Sequence, residues 1–330
     1  MTGKMRIETF PAHHLEDGVV VRRPRVRLAV VASAVGMIAG CVAVTDGRGA
    51  SLHTSASRTA SPLPRGWTKV ARGLNGGSVF AGRIPNPYAH DRRRSAIYVP
   101  AGYSRTRRYP VVYLLHGLPG SPSSLYDALK LAKVADKLTA DGLTSPFVAV
   151  MPVGGPIRHP ARGEWVGSWE SFVVDAVVPW VDAHLSTVAT RRGRAIAGVC
   201  AGGYGAMNIG LRHPRVFGTL ESWGGYFAPV FRDGPFAHAS RLVLDANDPT
   251  LLVRREVPLL RRLRTHFYVS VGGNHAQVRR RWTLEYAALL GRLTLSHRLW
   301  LLPRSERGNF WRATLPSALV YAGANFDVKR

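Results

Sequence analysis

Short apolar runs bounded by glycine, proline or charge recur along the chain at 78–84, 95–99, 111–115, 147–151, 195–199, 219–223, 266–271 and 297–302. Runs this short and this continuously apolar fit strands buried on both faces. Between them lie stretches with helical spacing of apolar positions, clearest at 125–139, 170–185, 204–211, 250–263, 282–293 and 313–322. From the third run onward strands alternate with helices, which predicts an α/β fold with a mostly parallel central sheet and helices on both faces. The first runs, joined by a loop carrying Asn86, Pro87 and Tyr88, predict an antiparallel N-terminal edge. Ligand chemistry in such a sheet belongs at the carboxyl ends of its strands.

One of those ends carries Gly198-Val199-Cys200-Ala201-Gly202. The string has the form of a nucleophile elbow, a sharp strand-to-helix turn, with a thiol in place of the usual serine hydroxyl. Small residues two before and two after Cys200 let the backbone close the turn, and the amides of the following helix favour negative charge on the sulfur. The same string also suits a buried structural cysteine in a glycine-rich turn. Upstream, the run at 111–115 leads into His116-Gly117-Leu118-Pro119-Gly120, a loop of the kind that supplies an oxyanion-hole amide opposite such an elbow. The Leu118 and Ala201 N–H groups are the two candidate donors. His116 reads as a residue that holds the loop, not as a proton shuttle.

With these segments in view, the chain resembles the esterase family of the α/β-hydrolase fold that contains esterase D and the antigen 85 mycolyltransferases. The resemblance rests on 96–103, on 109–120, on the run from Trp169 to Leu185, on the elbow with Gly202-Gly203-Tyr204-Gly205-Ala206, and on 310–319. It implies a serine-type triad in the order nucleophile, acid, histidine, and here all three positions are substituted. The loop after the strand ending at Val271 reads Gly272-Gly273-Asn274-His275, where the family carries a carboxylate. The loop after Leu302 places Glu306 in the register of the family's histidine.

Two readings are open. Cys200, His275 and Glu306 could form an altered constellation, or the domain could be a degenerate hydrolase kept for binding lipid or glycan. The first is opposed by geometry, since the family's last loop faces the nucleophile and a carboxylate is a feeble base toward a thiol. A thiol nevertheless attacks esters with little help from a base, so acylation survives loss of the histidine better than deacylation does. The expected activity is therefore acyl-ester hydrolysis or transfer through Cys200, weak or lost. Asp245 and Asp248 come after the elbow region, but Asp248 precedes Pro249 and reads as a helix cap. Trp165, Trp169, Trp223 and Tyr226 read chiefly as core and loop anchors.

Before the domain, Arg22–Arg27 precedes an apolar segment at 28–44 that is too short for a comfortable membrane span. It reads as a signal region, and Ile38-Ala39-Gly40-Cys41 resembles a lipoprotein signal in which Cys41 is acylated. Residues 42–66 are rich in Ser, Thr, Ala, Gly and Pro and read as a flexible tether. The expected organisation is thus a signal or anchor at 1–41, a tether at 42–66 and a hydrolase domain at 67–330, exported and held at the cell envelope by the N-terminal anchor. The chain carries two cysteines, one of them in the signal, so no internal disulfide is expected. The formal charge of +25 comes from arginines spread along the chain, with clusters at Arg92-Arg93-Arg94, at 191–194 and at Arg279-Arg280-Arg281. Such scatter fits a solvated surface or attraction to anionic lipid, and no nucleic-acid partner is expected. No phosphate loop or metal-ligand cluster is visible, so no cofactor is implied.

Overall fold

The computed structural model describes residues 61–89, 91–155, 164–231, 234–272, 277–302 and 310–327. The expected signal region, Cys41 and the expected tether up to residue 60 lie outside the described residues, as do His275 and Glu306.

Nine strands form one sheet in the order β1-β2-β3-β5-β4-β6-β7-β8-β9. In chain order they are β1 (Thr68–Arg72), β2 (Ser78–Gly82), β3 (Ser95–Val99), β4 (Val111–Leu115), β5 (Val148–Met151), β6 (Arg194–Val199), β7 (Thr219–Trp223), β8 (His266–Gly272) and β9 (His297–Leu302). The helices are α1 (Leu131–Ala140), α2 (Ser168–Ser171), α3 (Val178–His184), α4 (Ala201–Arg212), α5 (Arg241–Asp245), α6 (Pro249–Arg255), α7 (Val257–Arg262), α8 (Gln277–Arg292) and α9 (Phe310–Ala324). β1 to β3 run antiparallel, as does β3 against β5, while all pairings from β5 through β4 to β9 are parallel. This is the α/β-hydrolase architecture, with the antiparallel edge on the N-terminal side.

Alternation along each strand divides the interior into two cores. Val111, Tyr113 and Leu115 of β4 enter the core beneath α2, α3, α4 and α6 to α8. Val112 and Leu114 enter the one beneath α1 and α9. Because helices cover both faces, the central strands read as unbroken apolar runs. β1 was not visible as such a run, since it lies at the edge and four of its five residues are exposed.

Three boundaries differ from the sequence reading. Leu63 is buried in the larger core and Arg105 donates to the Pro62 carbonyl at 3.0 Å, so residues assigned to the end of the tether pack against the domain. The helix expected over 125–139 is interrupted at Lys130, whose φ of 57° lies in the left-handed region. The one expected over 250–263 divides at Glu256, ahead of Pro258, because proline has no N–H to continue the ladder and clashes with the turn before it.

Candidate active site

β6 ends at Val199 and α4 begins at Ala201, leaving Cys200 alone between them at φ 55° and ψ −115°. A side chain with φ in this range is strained, and such residues cluster where function demands it. The backbone closes this tightly only because its neighbours lack side chains. A Cβ on Gly198 would lie 2.2 Å from the Gly202 carbonyl oxygen, and one on Gly202 would lie 2.1 Å from that of Leu115. The turn is then locked by hydrogen bonds. The Cys200 N–H donates to the Trp223 carbonyl at 3.1 Å, while the Cys200 carbonyl accepts from Gly203 and Tyr204 at 2.9 and 3.1 Å. The nucleophile elbow is therefore present in its backbone as well as in its sequence.

Cys200 faces an apolar cavity of about 320 Å³ whose walls include Leu118, Leu125, Leu129 and Trp311. Leu118 lines this cavity and Ala201 follows Cys200 as the first residue of α4, and neither backbone N–H has a partner among the described residues. His116 is fully buried. Its Nδ1 pairs with the Gly117 carbonyl at 2.8 Å and its own carbonyl accepts from Trp165 Nε1 at 3.0 Å. Burial pushes its imidazole down to about 4, and the nearby Arg93 charge adds to the shift. A ring held neutral and tied to its own loop positions that loop, in line with the sequence reading.

The polar group that reaches the sulfur was not expected. Arg279, in the first turn of α8, places Nη1 3.1 Å from Cys200 Sγ and 3.3 Å from the Gly224 carbonyl. No other hydrogen bond reaches that sulfur among the described residues. In the sequence Arg279 reads as part of a surface cluster, because an arginine carries no mark of the residue it will face. Trp311, at the start of α9, donates Nε1 to the Trp223 carbonyl at 3.1 Å, so one carbonyl anchors both the elbow and the cavity wall.

The remaining candidates fall into structural roles. Asp248 caps α6, accepting from the N–H groups of Thr250 and Leu251 at 2.8 and 3.1 Å. Asp245 pairs with Arg241 at 2.8 Å on the surface. Trp165 and Trp223 are fully buried, Trp169 nearly so. Tyr226 is buried too and donates to Glu164 at 2.6 Å, and burial pushes its phenol far above the usual range. Among the described residues no group of three or more His, Cys, Asp or Glu side chains stands together to hold a metal.

The family model for esterases matches residues 87–299, a span that contains both the elbow and the oxyanion loop. The chain belongs to this esterase family. Among its relatives is an endo-1,4-beta-xylanase/feruloyl esterase of Xylanibacter ruminicola, 33% identical over 147 residues, which are 42% of this chain and 20% of that protein. An esterase of Mycobacterium tuberculosis is 33% identical over 164 residues, 47% of this chain and 34% of its own. The MPT51/MPB51 antigen of Mycobacterium bovis is 29% identical over 167 residues, 48% of this chain and 52% of its own. The chain thus spans between a fifth and about half the length of these relatives. Among solved structures, a ferulic acid esterase superposes with a TM-score of 0.67 at 20% identity, covering 76% of this chain and 99% of that one. An S-formylglutathione hydrolase from Agrobacterium tumefaciens gives 0.59 at 18% identity, covering 78% and 98%. At those identities the structural likeness establishes the α/β-hydrolase fold of this chain and leaves its reaction to its own site.

Proposed function

We propose that this esterase-family protein takes acyl groups from esters onto Cys200 and releases them slowly. The observation that carries the reading is the strained Cys200 backbone beside an apolar cavity and two unpartnered amides. In the proposed step the thiol first gives its proton to solvent, the Sγ thiolate bonds to the ester carbonyl carbon, and the carbonyl electrons move to oxygen, where the Leu118 and Ala201 N–H groups stabilise them. Collapse breaks the carbon–oxygen bond, and the alkoxide takes a proton from solvent, leaving a thioester. Hydrolysis or transfer then requires a base for water or an acceptor alcohol. Arg279 cannot serve, because a guanidinium has no site to accept a proton. Its contact with Sγ suits a sulfur that carries charge, and supports acylation outpacing release.

The competing reading is a binding protein that keeps the cleft for lipid or glycan, favoured by that same arginine standing at the sulfur. Intact-mass analysis after incubation with p-nitrophenyl acetate separates the two. The proposal expects one acetyl adduct, absent in Cys200→Ala and much reduced in Cys200→Ser, with p-nitrophenolate released in a burst of about one equivalent. A folded protein that forms no adduct is a binding protein, and sustained turnover without a burst overturns slow release.

The proposed setting for this ester, the cell envelope, is supported only by the N-terminal sequence. No helix among the described residues is long and apolar enough to cross a membrane, and the segment at 28–44 lies outside them. Export and lipid attachment through Cys41 predict incorporation of labelled palmitate that Cys41→Ser abolishes, and unchanged labelling in that variant would sink the lipid anchor.

A further inference from the structure

A second cavity, larger than the one at the elbow, lies at the opposite edge of the sheet from Cys200. It has a volume of about 740 Å³ and opens at the amino ends of β6 to β8, where Gly218 and His266 line it. Four arginines from two segments converge on it: Arg191 and Arg192 ahead of β6, and Arg262 at the end of α7 with Arg264 in the turn beyond it. Asp327 is the single acidic residue of the wall and is held by Arg192 at 2.8 Å.

Arg192, Arg262 and Arg264 are exposed at the mouth of the cavity, and Arg191 is half-buried behind them. Arg191 is locked in place, donating to the carbonyls of Pro214 and Leu263 and to Thr265 Oγ1. Burial, and after it the Arg192 charge, weighs against its cation and lowers its pKa. Arg264 occupies φ 50°, at a helix end where glycine is the usual residue because a side chain is strained there. The side chains of Arg262 and Arg264 make no hydrogen bond or ion pair among the described residues. Like charges gathered around a cavity with one carboxylate to offset them leave an excess of positive charge that a bound anion would neutralise.

We propose that this cavity is a second ligand site, for a molecule bearing a di- or polyphosphate group. Guanidinium forks pair with phosphate oxygens in a bidentate manner, and several forks around one space fit a multiply charged group better than a lone carboxylate. The volume falls within the range of small-molecule sites, about 300–1,000 Å³, so it admits more than a single phosphate. The site lies at the sheet edge away from the elbow, so its occupant does not compete with an ester at Cys200. It stands independently of the acyl-transfer reading.

Calorimetric titration of the full chain with inorganic pyrophosphate tests the site at fixed ionic strength. Saturable one-site binding is expected, weakened at least about tenfold in Arg262→Gln/Arg264→Gly. Glycine at 264 relieves the strained backbone, so this variant should unfold no earlier than the parent, which a thermal melt checks. Arg280→Gln/Arg281→Gln removes the same charge elsewhere and should change affinity by less than about twofold. Equal weakening in both variants would mean general attraction to a basic protein and would overturn the site, as would the absence of saturable binding to pyrophosphate and vesicles alike. Cardiolipin vesicles, whose headgroup carries two phosphates, in a phosphatidylcholine background distinguish the source. Retention that the Arg262/Arg264 variant loses marks a lipid headgroup, whereas pyrophosphate binding without vesicle retention marks a soluble phosphate ester.

Discussion

The two sides of Cys200 are held by different means. On the elbow side every element is fixed by backbone: Gly198 and Gly202 pack carbonyl against Cα, and Trp223 accepts the Cys200 N–H. On the far side the sulfur meets a single long side chain, Arg279, reaching in from α8. The elbow side can be built in only one way by this backbone. The far side is set by one rotatable residue, and on the proposed function it is the side that an acyl group on sulfur would meet. The rigid and the adjustable sides are therefore separable in this molecule, and substitution can address each alone.

The largest effect is expected on the rigid side. Gly202→Ala drives a methyl group to 2.1 Å from the Leu115 carbonyl oxygen and 2.7 Å from that of His116. Neither backbone atom can give way without moving β4 and the oxyanion loop. Urea unfolding should show a loss of about 3 kcal/mol or more. Gly291→Ala is the control. Its Cβ would meet only the His297 ring edge at 3.5 Å, inside α8, and should be neutral or stabilising by about 0.5–1 kcal/mol. A mild Gly202→Ala would break the comparison, because the elbow would then be as adaptable as its opposite wall.

On the adjustable side, Arg279→His replaces a group that cannot accept a proton with one that can. If slow release reflects the lack of a base at the sulfur, steady-state release of p-nitrophenolate should rise by about 10²-fold, the lower end of general-base effects. Arg279→Gln should still form the adduct without that gain. Equal turnover in all three proteins would place the base elsewhere, and His275→Ala and Glu306→Gln would then locate it.

The same division explains what could be read in the sequence. Central strands such as β4 and β6 are wholly buried, so burial wrote itself into composition as unbroken apolar runs. The elbow was legible because its geometry demands small residues at fixed spacing. β1 was not, since an exposed edge strand carries no such constraint. The division of 125–139 at Lys130 was hidden as well, because lysine gives no warning of a left-handed backbone. Arg279 escaped for a similar reason. Its role comes from where α8 begins relative to β6, a tertiary fact, while locally it is one of three consecutive arginines.

The smallest expected effect joins both sides. The Trp223 carbonyl accepts from Cys200 N–H and from Trp311 Nε1, and the Trp223 indole donates to Glu221 Oε2 at 2.9 Å. Glu221 is buried, and its second oxygen has no partner among the described residues. Burial raises its pKa well above the usual carboxylate range, against a smaller opposing contribution from the Trp223 hydrogen bond. The folded protein therefore keeps this proton at pH values where the unfolded chain, with an ordinary value of about 4.3, has released it. The folded state binds more protons, so stability falls as pH rises through that value and onward toward the folded pKa. Glu221→Gln removes the titration and keeps an oxygen for the indole. Urea unfolding should find the variant more stable than the parent by on the order of 1 kcal/mol at pH 8, with the advantage vanishing near pH 4. A constant difference between the two across that range would mean that Glu221 is ionised in the folded protein, and that the carbonyl shared by elbow and cavity wall rests on a charged support.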